Sequence, residues 1–234
     1  MRRDYSEVVE RLQLYRRAQR KTQKEMSAYM GVTQSHYAKL ESGANVISYD
    51  CLKTFESNGG DIHFLITGRY SEFGFLDGYM KQCATRDGKL KMNRLLVWAV
   101  NLGLALEDGE KERLPETVYR NLRLAQMESD MPWSIWKSIR KLDEITQCQM
   151  AEILGINIKR YVRLEKEIIG PDAEILYQLY SGLSYAPYLA IPSANYYLAE
   201  CDDAWESFSQ EVKDRLTLLL EQGLQLVRSS ENKG

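Results

Sequence analysis

The stretch TQKEMSAYMGVTQSHYAKLESG, Thr22–Gly43, is written a second time in altered form as TQCQMAEILGINIKRYVRLEKE, Thr146–Glu167. Thr146 stands 124 residues after Thr22, and at that same offset Gly31 meets Gly155, Tyr37 meets Tyr161, and Leu40 and Glu41 meet Leu164 and Glu165. The register continues outside the quoted stretch: Arg16 and Arg17 meet Arg140 and Lys141, and Leu52 meets Leu176. Self-similarity at a fixed offset fixes the number of structural units, so it precedes every other inference.

Both copies place apolar residues three and four apart between polar turns, the period of an amphipathic helix. Thr22 with Glu25 and Thr146 with Gln149 form capping-box signatures, in which a hydroxyl and a side-chain oxygen satisfy two orphan backbone donors. In the first copy, Asp4 with Glu7 predicts a helix running to about Arg20, and Thr22 begins a second helix ended by Gly31. Thr33 caps a third helix through about Ser42, Ser48 a fourth through about Ser57, and Asp61 a short fifth ending at Gly68. Few stretches alternate as strands do, so the chain reads as all-α.

Beyond these heads, GYMKQC (Gly78–Cys83) resembles YYLAEC (Tyr196–Cys201), and NLGLAL (Asn101–Leu106) resembles EQGLQL (Glu221–Leu226). They suggest that each half is a five-helix head with a helical tail, the tails being Lys89 to about Leu106 and Phe208 to about Val227. Each tail carries Leu, Val or Trp on one face and requires a partner surface. The charged stretch Glu107–Met131 reads as a linker, a loop followed by a short helix near Glu116–Ala125 that ends at the breaker MPW. The expected domains are therefore 1–70, 71–131, 132–190 and 191–234.

Composition bounds the function. With 44% hydrophobic and 27% charged residues among 234, the chain is a globular one. A net charge of −2 supplies no global basic field, so a nucleic-acid partner has to be held by local patches. Neither a secretory signal nor an apolar run of about 18 residues is present, which leads us to expect a cytoplasmic protein without a membrane partner. Cys51, Cys83, Cys148 and Cys201 lack metal-ligand spacing and read as reduced thiols, so no zinc, other metal or cofactor is expected. Two histidines and no phosphate-cradling glycine loop argue against an enzyme. Tyr185, Tyr188, Tyr196 and Tyr197 could line a pocket, but aromatic residues at helical spacing more often form core or interface.

Two helices joined by a tight turn at glycine, the second opening on a short polar run, have the layout of a DNA-reading helix-turn-helix. The pattern TQxxMAxxxG(V/I)…YxxLE resembles the Cro/lambda-repressor-like (XRE) family, over Val8–Gly68 and again over Trp133–Tyr188. Departures from the family pattern are Ser27 in place of alanine, Ile47 in place of proline, and Glu167 where glycine closes the third helix. The resemblance implies two lambda-repressor-like five-helix domains in tandem, each followed by a helical tail or dimerisation segment. It also implies that Arg16 with Glu41, and Arg140 with Glu165, pair internally, while Gln23 clamps a DNA phosphate, with Gln147 its counterpart.

Helical phase buries Val32, Tyr37 and Leu40 and turns Gln34, Ser35, Ala38 and Lys39 outward. Gln34 suits adenine N6 and N7, Ser35 is a tolerant donor or acceptor, and His36 is placed to reach a base or a phosphate. The second copy offers Ile158, Lys159, Arg160, Val162 and Arg163 at the equivalent places, suited to thymine methyls or guanine. Thr33 and Asn157, which open the two third helices, complete the candidate DNA-binding set. Arg17, Arg20, Lys21, Lys39, Lys141 and Lys166 are candidate phosphate contacts of the positioning kind.

These features imply a sequence-specific transcriptional regulator, a repressor of phage or mobile-element type, reading a bipartite double-stranded operator with two unlike recognition helices. It would act as a homodimer or as a pseudo-dimer within one chain. The alternative is an antitoxin or adaptor that uses the same fold to hold a protein partner through the tail Asp202–Val227.

Overall fold

A computed structural model describes residues 5–70, 74–107, 114–130, 133–191 and 199–231. The described residues are helical or in turns, with no strand among them. They fall into two compact units, one built from 1–70 and 133–194, the other from 71–132 and 195–234. Thus the first and third of the expected segments assemble together, and the second and fourth do likewise.

In unit 1, α1 (Tyr5–Ala18), α2 (Gln23–Tyr29), α3 (Gln34–Glu41), α4 (Tyr49–Ser57) and α5 (Ile62–Thr67) form a first head. Thr22, Thr33, Ser48 and Asp61 cap α2 to α5, each accepting a backbone N–H from the first turn. Asp4, expected to cap α1, lies outside the described residues. Helix α1 stops two residues short of Arg20, which takes a left-handed φ of 53° so that the Lys21 N–H can return to Arg16 O at 3.1 Å. The core is Val8, Leu12, Met26, Met30, Tyr37, Leu40, Leu52, Phe55 and Leu65, all at most 1% exposed. Fully burying one such side chain is worth about 1.5–3 kcal/mol.

The second head contains α9 (Ile135–Leu142), α10 (Gln147–Ile153), α11 (Ile158–Glu165) and α12 (Ala173–Leu183). Its fifth element is only a 3-10 turn, Pro187–Leu189, where α5 has a full helix. Tyr185 is buried and donates to Asp143 at 2.8 Å, a packing role rather than a ligand pocket. The side chain of Tyr188, and residues Tyr196 and Tyr197, lie outside the described residues.

Unit 2 is built on α7 (Arg86–Glu107) and α14 (Gln210–Glu231), with α6 (Asp77–Lys81), α8 (Glu116–Asp130) and α13 (Ala199–Ser207) packed around them. The long pair is antiparallel: Glu107 accepts the Ser209 N–H at one end, and Glu231 accepts the Thr85 N–H at the other. Gly103 of α7 and Gly223 of α14 each leave room for a neighbouring side chain. A Cβ on Gly103 would stand 2.3 Å from the Phe208 ring, and one on Gly223 would stand 2.0 Å from Leu95. The expected linker is longer and better anchored than its sequence suggested, because α8 continues to Asp130 and buries Val118 and Leu124. Its Tyr119 hydroxyl donates to Asn101 at 2.6 Å.

Candidate nucleic-acid interface

Helix α3 is eight residues long and buries Tyr37 and Leu40 completely, while Gln34, Ser35, His36 and Lys39 are exposed. The Thr33 hydroxyl accepts the His36 N–H at 3.2 Å, which fixes the entry to the helix and leaves its first turn displayed outward. The turn before it depends on Gly31, at φ 69°, where an L side chain is strained and a Cβ would stand 2.9 Å from Thr54.

Helix α3 is pinned at its other end. The Glu41 side chain is buried and accepts from Arg16 Nε at 2.6 Å, from Gln23 Nε2 at 2.6 Å and from the Tyr37 hydroxyl at 3.2 Å. Burial raises the Glu41 pKa, but the bonds from Arg16, Gln23 and Tyr37 outweigh it, and the carboxyl sits below its ordinary range. The second head repeats the device: Glu165 accepts from Arg140 Nη2 at 2.8 Å and from Gln147 Nε2 at 2.5 Å.

Gln23 and Gln147, expected on DNA phosphates, are thus hydrogen-bonded inward in the protein alone. A buried carboxylate needs donors on both oxygens, and in each head the arginine serves Oε1 while the glutamine amide serves Oε2.

The departures from the expected pattern have local reasons. Ser27 donates to Lys24 O at 2.7 Å. Ile47 donates its N–H to the buried Tyr5 hydroxyl at 3.0 Å, a bond that proline cannot make. Glu167 takes φ 56° where Gly43 takes 72°, so the loop after α11 keeps the left-handed turn without glycine.

Helix α11 displays Ile158, 39% exposed, together with exposed Lys159 and Arg163. The Asn157 side chain caps the helix through the Arg160 N–H at 2.9 Å. Arg160 itself is committed elsewhere, pairing through Nη2 with Asp172 Oδ2 at 2.5 Å. Gln34, Ser35, Lys39, Lys159 and Arg163 have no hydrogen-bond or ion-pair partner from their side chains among the described residues.

Sequence reasoning missed how the heads meet. The Ala173 N–H donates to Ile47 O at 3.0 Å, and the Tyr49 ring lies where a Cβ on Gly170 would be, 2.2 Å from its carbons. At the 124-residue offset, Val46–Tyr49 corresponds to Gly170–Ala173, so one patch meets its own counterpart. Helix α5 likewise packs on the 3-10 turn that stands in its place in the second head, and on α12.

A family model described as helix-turn-helix matches residues 12–53. This segment is a helix-turn-helix of the type that binds DNA. The match begins inside α1 and ends inside α4, so the helix-turn-helix it covers is α2, the Gly31 turn and α3. No curated protein and no solved structure matches the chain. Among the described residues no helix is long and apolar enough to cross a membrane.

Proposed function

We propose that the chain is a sequence-specific transcriptional repressor, whose two heads form a pseudo-dimer within one chain and read the unlike halves of a bipartite site. Repression would be by occupancy, with α3 and α11 in successive major grooves excluding other factors. The first helix-turn-helix supports DNA binding directly. The observation that carries the extension to the second head is the backbone. Left-handed residues recur 124 positions apart at Arg20 and Glu144, Gly31 and Gly155, and Gly43 and Glu167, around the same two capping boxes.

The frame is thus repeated, while the displayed side chains differ. Contact between a patch and its own counterpart is the signature of twofold pairing, achieved here by covalent linkage instead of association. Linkage raises the effective concentration of the second head once the first engages.

Selection of bound duplexes from a random pool tests the proposal, comparing the full chain with Gln34→Ala and Ile158→Ala. Removing a side chain that touches a base should cost about 1–3 kcal/mol and relax preference at one position, in a different half-site for each variant. Failure of the wild type to prefer any duplex over random DNA at moderate salt would sink it. A protein-binding role is favoured by one observation, the exposure of Trp98, Leu106, Leu218 and Leu226 in unit 2. Co-purification of a stoichiometric protein without bound DNA would select that reading.

A further inference from the structure

Between the first head's loop and α11 lies an open cleft of about 640 Å³. Ser48 and Tyr49 form one wall, and Lys159, Arg160, Arg163 and Asp172 are on the other. Its chemistry is that of an anion seat. Arg163 and Lys159 are without side-chain partners among the described residues. The Ser48 oxygen accepts the Cys51 N–H at 3.3 Å, which leaves the hydroxyl hydrogen available to donate. The one carboxylate, Asp172, is already answered, accepting the Ile175 N–H at 2.9 Å through one oxygen and Arg160 through the other. Three cations against one anion leave the cleft positive and rich in donors, though the chain as a whole is slightly acidic.

We propose that this cleft seats the phosphodiester backbone of the duplex where it passes between the two half-sites, with Arg163 on the phosphate and Ser48 of the first head closing the seat. The inference rests on the reading given under Proposed function. It adds that affinity for the half-site read by α11 depends on a side chain of the other head, and that the grip is one-sided. At the positions of Lys159, Arg160 and Arg163, α3 carries Ser35, His36 and Lys39, a single permanent cation. Asp172 acts as a brake on the seat, because it holds Arg160 away from the phosphate.

The test uses the full chain and a duplex obtained by selection. Single linkages between the half-sites are replaced, one at a time, by uncharged methylphosphonates, and affinity is read by fluorescence anisotropy. One or two linkages beside the α11 half-site should weaken binding roughly tenfold, the effect of removing one charge-assisted hydrogen bond, while their counterparts beside α3 should matter less than about twofold. Arg163→Gln should remove that penalty and lower the log–log salt slope by about one.

Asp172→Asn keeps a capping side chain, since Asn serves as well as Asp, and frees Arg160. It should tighten binding several-fold, a gain that no misfolded variant would give. Equal sensitivity on both sides, or Asp172→Asn without tighter binding, overturns the seat even if sequence preference is intact. Absence of any sequence preference overturns both the seat and the repressor reading. Saturable binding of ATP or inorganic phosphate below millimolar concentration to DNA-free protein, lost in Arg163→Gln, would assign the cleft to a free phosphate ligand instead.

Discussion

Glu167 holds a backbone conformation that favours glycine, at φ 56°, directly after α11. A left-handed non-glycine residue costs about 1–2 kcal/mol, so Glu167→Gly should raise the stability of unit 1 by about 1 kcal/mol in urea unfolding, offset in part by the greater chain entropy of glycine. Glu41 behaves oppositely: its carboxylate is buried against Arg16, Gln23 and Tyr37, and Glu41→Ala strands the donors. Removing one partner of a buried pair costs about 3–5 kcal/mol, and a midpoint shift at the low end is expected because Arg16 is partly exposed. Much at this scale was legible in sequence. The capping boxes and the exposed first turn of α3 follow from local spacing, and the Arg16–Glu41 pair is what the family resemblance implied. The pairing of Arg160 with Asp172 was not, because a loop brings those residues together and no periodicity reports on it.

At the scale of elements, the tails explain themselves through two glycines. NLGLAL and EQGLQL are alike as short strings, and their glycines prove to be where neighbouring side chains press directly on the two helices, Phe208 and Leu216 on Gly103 and Leu95 on Gly223. Gly103→Leu should therefore wedge the pair apart, at a cost of about 1–3 kcal/mol or more, read as loss of cooperative unfolding in unit 2. Helix existence and order in the first head could be read from caps and apolar period, but α6, five residues long and with no capping side chain, carries neither signal. Helix extent could not always be read: α8 runs on to Asp130, past the expected end near Ala125, through a charged stretch that carries little apolar period. The shrinkage of the second head's fifth element to a 3-10 turn was equally hidden, although Pro187 at its first position suits a short element.

On the scale of the molecule, two units imply two unfolding equilibria, and their acid responses should diverge. In unit 2 the buried Asp202 carboxyl is pushed up to about 6 by burial, with Asp77, Asp203 and Glu206 adding and the Leu76 N–H opposing. A carboxyl raised above its unfolded value near 3.9 takes up its proton earlier in the folded state. Unit 2 therefore gains stability as pH falls from 7 toward 4, by on the order of 2 kcal/mol from this group. In unit 1, burial lowers His63 to about 4, with nearby Asp61 opposing and Arg69 adding. The unfolded histidine protonates first, so this group costs unit 1 stability as pH falls from about 6.5 toward 4. Differential scanning calorimetry between pH 4 and 7 should show the two transitions moving in opposite directions, and Asp202→Asn should flatten the one from unit 2.

The alternating path of the chain has a consequence for biosynthesis. Neither unit is contiguous: α5 waits for α12, and α7 waits for α14. A nascent polypeptide that stalls before residue 133 would carry an unsheltered α5 surface and a greasy α7 flank at the same time, and such species invite chaperone capture or aggregation. Expression of residues 1–132 alone should accordingly yield insoluble material, whereas co-translation with 133–234 as a separate fragment should rescue it.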